Sequence, residues 1–226
     1  MRVAALYDVH GNLPALEAVL ADPRCSEADV VVSGGDLCAG PMPLETLELL
    51  RRRRAVFVRG NADRELTGWP ARRLTPAQRA ELRAWPLTAT LAVGGLGDVL
   101  FCHASPRRDD EILTRATPDP VVAEACAGAA LVVCGHTHVQ YDRVVGATRV
   151  VNAGSVGAPY EGRAAAFWAL LGPEVQLVST EYDVDAAVAS IRATGYDNAD
   201  ELAQILLSPY GSDEATEELE ARRRGA

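Results

Sequence analysis

Residues 1–12, Met1-Arg2-Val3-Ala4-Ala5-Leu6-Tyr7-Asp8-Val9-His10-Gly11-Asn12, read as a short buried strand that runs into a polar turn. The run Val3–Tyr7 is apolar throughout, the mark of a strand covered on both faces. Behind it, Leu13, Leu16, Val19 and Leu20 recur at helical spacing after Asn12, a residue suited to capping a helix. The alternation repeats. Strand-like Val30–Ser33 precedes a helix with Leu44, Leu47 and Leu50 on one face after Pro43. Strand-like Val56–Arg59 precedes a helix over Thr75–Ala84, with Ala80 and Leu82 inward. Further strand-like runs are Val99–Cys102, Leu131–Cys134, Val144–Val151, Ala164–Leu171 and Val175–Tyr182. A βαβαβ first half and a strand-rich second half predict an α/β fold. The expected form is a four-layer α-β-β-α sandwich of two mixed sheets flanked by helices.

The chain has 226 residues and reads as a single domain, 1–226, with 183–226 a C-terminal helical extension. That extension predicts surface helices. Its end places Glu214–Glu220 before Arg222–Arg224, which suits the macrodipole of a solvated helix. With 22 basic and 31 acidic side chains the net charge is −9, and 48% of residues are hydrophobic, which excludes disorder and collagen. No apolar run has membrane-spanning length, and the stretch before Asp8 is too short for a signal-peptide core, so a cytoplasmic location is expected. Five cysteines without a CxxC pair fit reduced thiols. Every basic residue is arginine, so P-loop, Schiff-base and pyridoxal chemistries are excluded.

Polar residues cluster where strands end. Asp8-Val9-His10-Gly11-Asn12 closes the first strand, Gly34-Gly35-Asp36 the second and Arg59-Gly60-Asn61-Ala62-Asp63 the third. Cys102-His103 and Cys134-Gly135-His136-Thr137-His138 close two later ones. Singly, a histidine after a strand is most often structural, and Asp or Asn is an ordinary turn former. Jointly, all four histidines fall at matching positions, and ligands in open α/β sheets bind at the carboxyl ends of strands. Asp, His and Asn without thiolate suit Mn, Fe, Zn or Ni, and seven such residues are too many for one ion. Cys102 and Cys134 read as core residues.

The order DxH, GD, GN, H, GHxH resembles the calcineurin-like metallophosphoesterase superfamily, and most of all its small bacterial phosphodiesterase branch. The likeness spans Asp8 to Gly157, and Asn152–Gly157 is similar to the strand-turn that follows GHxH there. It implies two divalent metal ions, with Mn(2+) favoured. One would be held by Asp8, His10, Asp36 and His138. The other would be held by Asp36, Asn61, His103 and His136, with Asp36 shared. The implied chemistry is in-line attack of a metal-bridging hydroxide on phosphorus. Asp36, Asn61 and Asp63 form the expected catalytic set. Asn12, Arg59 and Arg64 are candidates for substrate contact, since planar arginine suits phosphate. One departure stands out. Many relatives carry His-Glu after Gly-Asn, where the sequence has Ala62-Asp63, so the usual donor to the leaving oxygen is absent.

The expected activity is therefore a metal-dependent phosphoesterase, with diesters favoured over monoesters. A phosphomonoesterase or a dinucleoside-polyphosphate hydrolase would use the same site. A non-enzymatic metal-binding scaffold is the reading from another class, and the intact ligand set argues against it. The expected partner is a small-molecule or nucleotide-like phosphoester. Neither a membrane nor a dedicated nucleic-acid surface is expected from this acidic chain, and a homo-oligomer is compatible with it.

Overall fold

A computed structural model describes residues 1–225. Strand β1 (Val3–Leu6) serves two interiors, because successive side chains point to opposite faces. Val3, Ala5 and then Tyr7 face a second sheet, while Ala4 and Leu6 face helices. The connecting helices α1 (Leu13–Ala21), α2 (Pro23–Ser26) and α3 (Pro43–Arg52) join β1 to parallel β2 (Val30–Ser33) and β3 (Val56–Phe57). Short α4 (Asn61–Arg64), α5 (Gly68–Arg73) and α6 (Pro76–Ala84) follow. The first sheet has the order β10-β9-β1-β2-β3, with β9 (Ala166–Leu171) antiparallel to β1 and β10 (Val175–Thr180) antiparallel to β9.

The second sheet has the order β4-β5-β6-β8-β7. Its centre is parallel: β5 (Gly97–Cys102), β6 (Leu131–Cys134) and β8 (Thr148–Asn152). Antiparallel β4 (Thr88–Val93) and β7 (Tyr141–Val145) form its edges. Tyr7, Val32, Phe101, Val133 and Val151 fill the space between the sheets. Leu16, Val19, Leu47, Leu50 and Leu82 cover the outside of the first sheet, and α7 (Asp119–Ala125) covers the second with Val122 and Ala125. The architecture is the expected four-layer sandwich.

Several local expectations change. The run Val144–Val151 is not one strand: it turns at Gly146 (φ 61°) into the hairpin β7–β8. Strand β4 went unread, because its small residues pair with β5 at an edge and carry little apolar signal. Ala80 and Leu44 lie outside rather than inward, leaving Leu82, Leu47 and Leu50 to pack. The C-terminal helices are not a solvated appendage. Helices α8 (Val184–Ala193) and α9 (Ala199–Leu207) bury Val188, Ile191, Leu202 and Leu206 against Ala158. In α10 (Ser212–Gly225) Glu220 is buried, where it accepts from the hydroxyls of Thr114 (2.7 Å) and Thr117. None of the helices among the described residues is long and apolar enough to cross a membrane.

Candidate metal centre

The carboxyl ends of β1, β2, β3, β5 and β6 bring the polar turns together. Asp8, His10, Asp36, His136 and His138 all have left-handed backbones, with φ between 47° and 67°. Such conformations cost roughly 1–3 kcal/mol each in non-glycine residues and are kept where the surroundings over-determine them. Two glycines permit the crowding. A Cβ at Gly60 would lie 2.1 Å from Asp36 Oδ1, and one at Gly35 (φ 101°) would lie 2.6 Å from His103 Nδ1.

Each carboxylate is held by one oxygen and presents the other. Asp8 Oδ2 accepts from the His136 amide at 2.8 Å, and Asp36 Oδ1 accepts from the Ala62 amide at 2.8 Å. The opposite oxygens face ring nitrogens. Asp8 Oδ1 lies 3.2 Å from His138 Nε2, 3.7 Å from His10 Nε2 and 3.8 Å from His103 Nε2. Asp36 Oδ2 lies 3.4 Å from His103 Nε2 and 4.0 Å from His10 Nε2, between the two groups of ligands. The imidazoles are oriented from behind: Nδ1 of His103 donates to Gly34 O (2.9 Å), and Nδ1 of His138 donates to Ala158 O (2.6 Å). Carbonyl partners of this kind fix a ring with Nε2 free to ligate.

These residues fit two divalent ions. Donor atoms for one cation gather as Asp8, His10 and His138, and for another as Asp36, His103 and His136, each set within 4.8 Å. Ligands about 2.1 Å from a common ion stand roughly 3–3.4 Å apart, close to the shorter separations here. Asp8 Oδ1 is buried without a hydrogen-bond partner, an orphan that a cation would satisfy. His10 Nε2 and His138 Nε2 lie 3.2 Å apart, and two ring acceptors favour that approach only around a proton or a metal. The Asn61 oxygen points the same way, 3.1 Å from His136 Nδ1 and 3.2 Å from His103 Nε2. A turned amide would donate to both nitrogens and to the Asp109 carbonyl. A shared cation instead favours the oxygen inward.

Without metal, protons do part of that work. Burial opposes charge on His103, yet the Asp36 carboxylate outweighs it and holds the ring up at about 10. His138 is likewise raised by Asp8 against burial, whereas burial and the His103 charge lower His136 to about 4. Burial works to raise Asp36 and Asp8, and the histidines reverse the shift, so both carboxyls stay ionised. Metal uptake would displace the His103 imidazolium proton. Burial also keeps Cys102 and Cys134 protonated, so neither offers a thiolate.

Four expected site residues have other positions. Asn12 is fully buried; its oxygen caps α1 through the Ala15 amide (3.2 Å) and its nitrogen donates to Gly157 O (2.9 Å). Both ends of the amide are engaged within the fold, which closes it to substrate. Asp63 is also fully buried and lies beneath the ligands. It accepts from the amides of Asp36 (2.8 Å), Leu37 (3.1 Å), Cys38 (3.4 Å) and Gly60 (3.1 Å). It positions the loop that carries Asp36, and burial with the Asp36 charge pushes its carboxyl up to about 7. Arg59 and Arg64 converge on buried Asp109, with Arg59 Nε at 3.1 Å and Arg64 Nη1 at 2.8 Å, rather than on open space. Removing a partner from a buried carboxylate typically costs about 1–3 kcal/mol, and 1 kcal/mol shifts Tm by about 2–4 °C at this size. Arg59→Ala is therefore expected to lower Tm by several degrees in a thermal melt. An unchanged Tm with a raised KM would restore the substrate role.

Residues that sequence reasoning missed stand around the centre. Tyr160 stacks on His138, with ring centroids 4.8 Å apart and 26° between planes. Asp109, Tyr196 and Glu201 carried no motif, and only their tertiary placement brings them near the ligands.

A calcineurin-like phosphoesterase superfamily domain profile matches residues 1–171. An uncharacterised protein of Methanocaldococcus jannaschii is 25% identical over 224 residues, covering 84% of this chain and 91% of its own. The crystal structure of a metallophosphoesterase from Sphaerobacter thermophilus is 26% identical with a TM-score of 0.75, covering 92% of this chain and all (100%) of that one. A hypothetical protein of Pyrococcus horikoshii OT3, 20% identical, shares the fold with a TM-score of 0.78 over 93% of this chain and 99% of its own. The ligand order along the chain, the two-sheet fold and the profile match coincide, and the chain belongs to the calcineurin-like phosphoesterase superfamily.

Proposed function

We propose that this metallophosphoesterase is a phosphodiesterase working with two divalent cations, manganese favoured, in a reducing cytoplasm. One observation carries the metal chemistry: Asp8 and Asp36 each anchor one oxygen on a backbone amide and turn the other toward histidine nitrogens. Mixed carboxylate, amide and imidazole donors accept manganese and equally iron, zinc or nickel, and all five cysteines are buried and unpaired. Asp8, His10, Asp36 and His138 would hold one ion, and Asp36, Asn61, His103 and His136 the other. Cations bound there supply Lewis acidity, neutralising phosphoryl charge and lowering the pKa of a water nucleophile. The protein's own contribution is to hold seven donors rigidly through buried backbone contacts, so that little reorganisation accompanies reaction.

The preference for diesters rests on Ala62. It lines the cleft beside Asn61, where the family often has a proton donor. Without that donor, esters with poor alkoxide leaving groups lose most, because charge builds on the departing oxygen. Ala62→His is expected to raise alkyl-monoester turnover relative to aryl-diester turnover by about 100-fold, the low end of general acid catalysis. Asp63 will not orient the new ring, since its oxygens already serve backbone amides. The check is the ratio of kcat/KM for an alkyl monoester and bis(p-nitrophenyl) phosphate at matched metal content. A wild type that already prefers the alkyl monoester would overturn the diester reading.

A further inference from the structure

The space above the metal centre is divided. One cleft, about 180 Å³, opens beside His10 and His138 and is walled by Tyr160, Tyr196, Glu201 and Ile205. A second, about 410 Å³, opens beside Asn61 and Ala62 and is walled by Trp69, Tyr196 and Asn198. Both clefts share Ala39, Tyr196 and Asn198, so the turn between α8 and α9 stands between them. This turn lies beyond the 171 residues of the family match. It is braced from below, because Ala199, Leu202, Ala203 and Leu206 pack with Val188 and Ile191 around Ala158, whose carbonyl orients His138.

The walls have a definite chemistry. The narrow cleft offers aromatic faces, Ile205 and the exposed Glu201 carboxylate, which no arginine pairs among the described residues. The wide cleft carries Glu65, paired with Arg64 at 2.9 Å, and Asp197, paired with Arg72 at 3.0 Å. Among the described residues no arginine lines either cleft, and Arg222 stands in an adjoining cleft that shares Tyr160, Glu201 and Ile205 with the narrow one. Substrate anions are normally met by arginine forks or backbone amides, whereas a second phosphate would face the unpaired Glu201 carboxylate in the narrow cleft and carboxylates already holding Arg64 and Arg72 in the wide one.

We propose that the α8–α9 turn reads the two ester arms of a diester that has a single phosphate and no other negative charge. One arm, flat or apolar, lies against Tyr160 and Tyr196 and presents a hydroxyl or amine to Glu201. The other, bulkier arm fills the cleft beside Asn61. This substrate class rests on the phosphodiesterase reading, and it excludes dinucleoside polyphosphates.

The test pairs binding with turnover. Diphenylphosphinate has two aryl arms on uncleavable P–C bonds, whereas phenylphosphonate has one, and calorimetry on the manganese-loaded protein compares them. Tyr196→Ala is expected to reduce the preference for the two-armed ligand by about 3–10-fold, the scale of one lost aromatic contact. Glu201→Arg, on an exposed position safe for folding, is expected to narrow the wild-type preference for bis(p-nitrophenyl) phosphate over diadenosine tetraphosphate by at least about tenfold. Wild-type ligand ratios in both variants, with diester turnover intact, would overturn the proposal and leave the phosphodiesterase reading standing. A wild type that turns over no diester would overturn that reading, and the proposal with it.

Discussion

Asp36→Asn is expected to strip metal from both sites, whereas His138→Ala chiefly empties the one it shares with Asp8 and His10. Asp36 Oδ1 is pinned to the Ala62 amide, and Oδ2 lies between His103 and His10. An asparagine there must present its oxygen to the Ala62 N–H and turn its NH2 into the centre. The variant therefore loses a charge and puts a donor where two cations need an acceptor. Loss of a mere supporting partner costs 10–100-fold in metal affinity, so a shared ligand is expected to cost more than about 100-fold. Chelator competition with elemental analysis reads both variants. Loss of the same single ion from each would contradict the shared role of Asp36.

Asp63→Ala is expected to be the most destabilising substitution at this end of the molecule. The carboxylate receives the amides of Asp36, Leu37, Cys38 and Gly60 in a fully buried setting. Each orphaned buried donor costs about 1–3 kcal/mol, and even partial relaxation leaves more than about 3 kcal/mol. At this chain length that corresponds to a fall in Tm of roughly 6–12 °C. Metal affinity should fall with it, because the Asp36 loop loses its anchor. A melt within about 2 °C of wild type would show that water or a rearranged loop replaces the carboxylate.

The meeting of the polar turns could be read from the sequence because strand ends bring distant turns into one crevice and the chemistry restricts which residues can stand there. Asp8, His10 and His138 gather in one group and Asp36, His103 and His136 in another, with Asp36 Oδ2 reaching 4.0 Å from His10 and the Asn61 oxygen beside the second group. The residues that hold them were not legible. Asp63, two residues after Asn61, reads as a member of the catalytic set until the fold buries it under four amides. Arg59 and Arg64 look like anion binders until Asp109, fifty and forty-five residues further along, is placed between them. Likewise, the helical spacing of Leu202 and Leu206 marks a buried face, but it cannot say that Ala158 and the His138 support lie beneath it. Periodicity reports that a face is covered, and only the tertiary fold reports by what.

Metal content measured together with hydrolysis tests the central claim most directly. The protein is stripped with chelator, reloaded with manganese, and assayed with bis(p-nitrophenyl) phosphate as elemental analysis follows occupancy. Two ions per chain are expected, with diester turnover appearing only as the second site fills. One ion per chain at full activity, or two ions with no phosphoester turnover at all, would contradict a dinuclear phosphodiesterase.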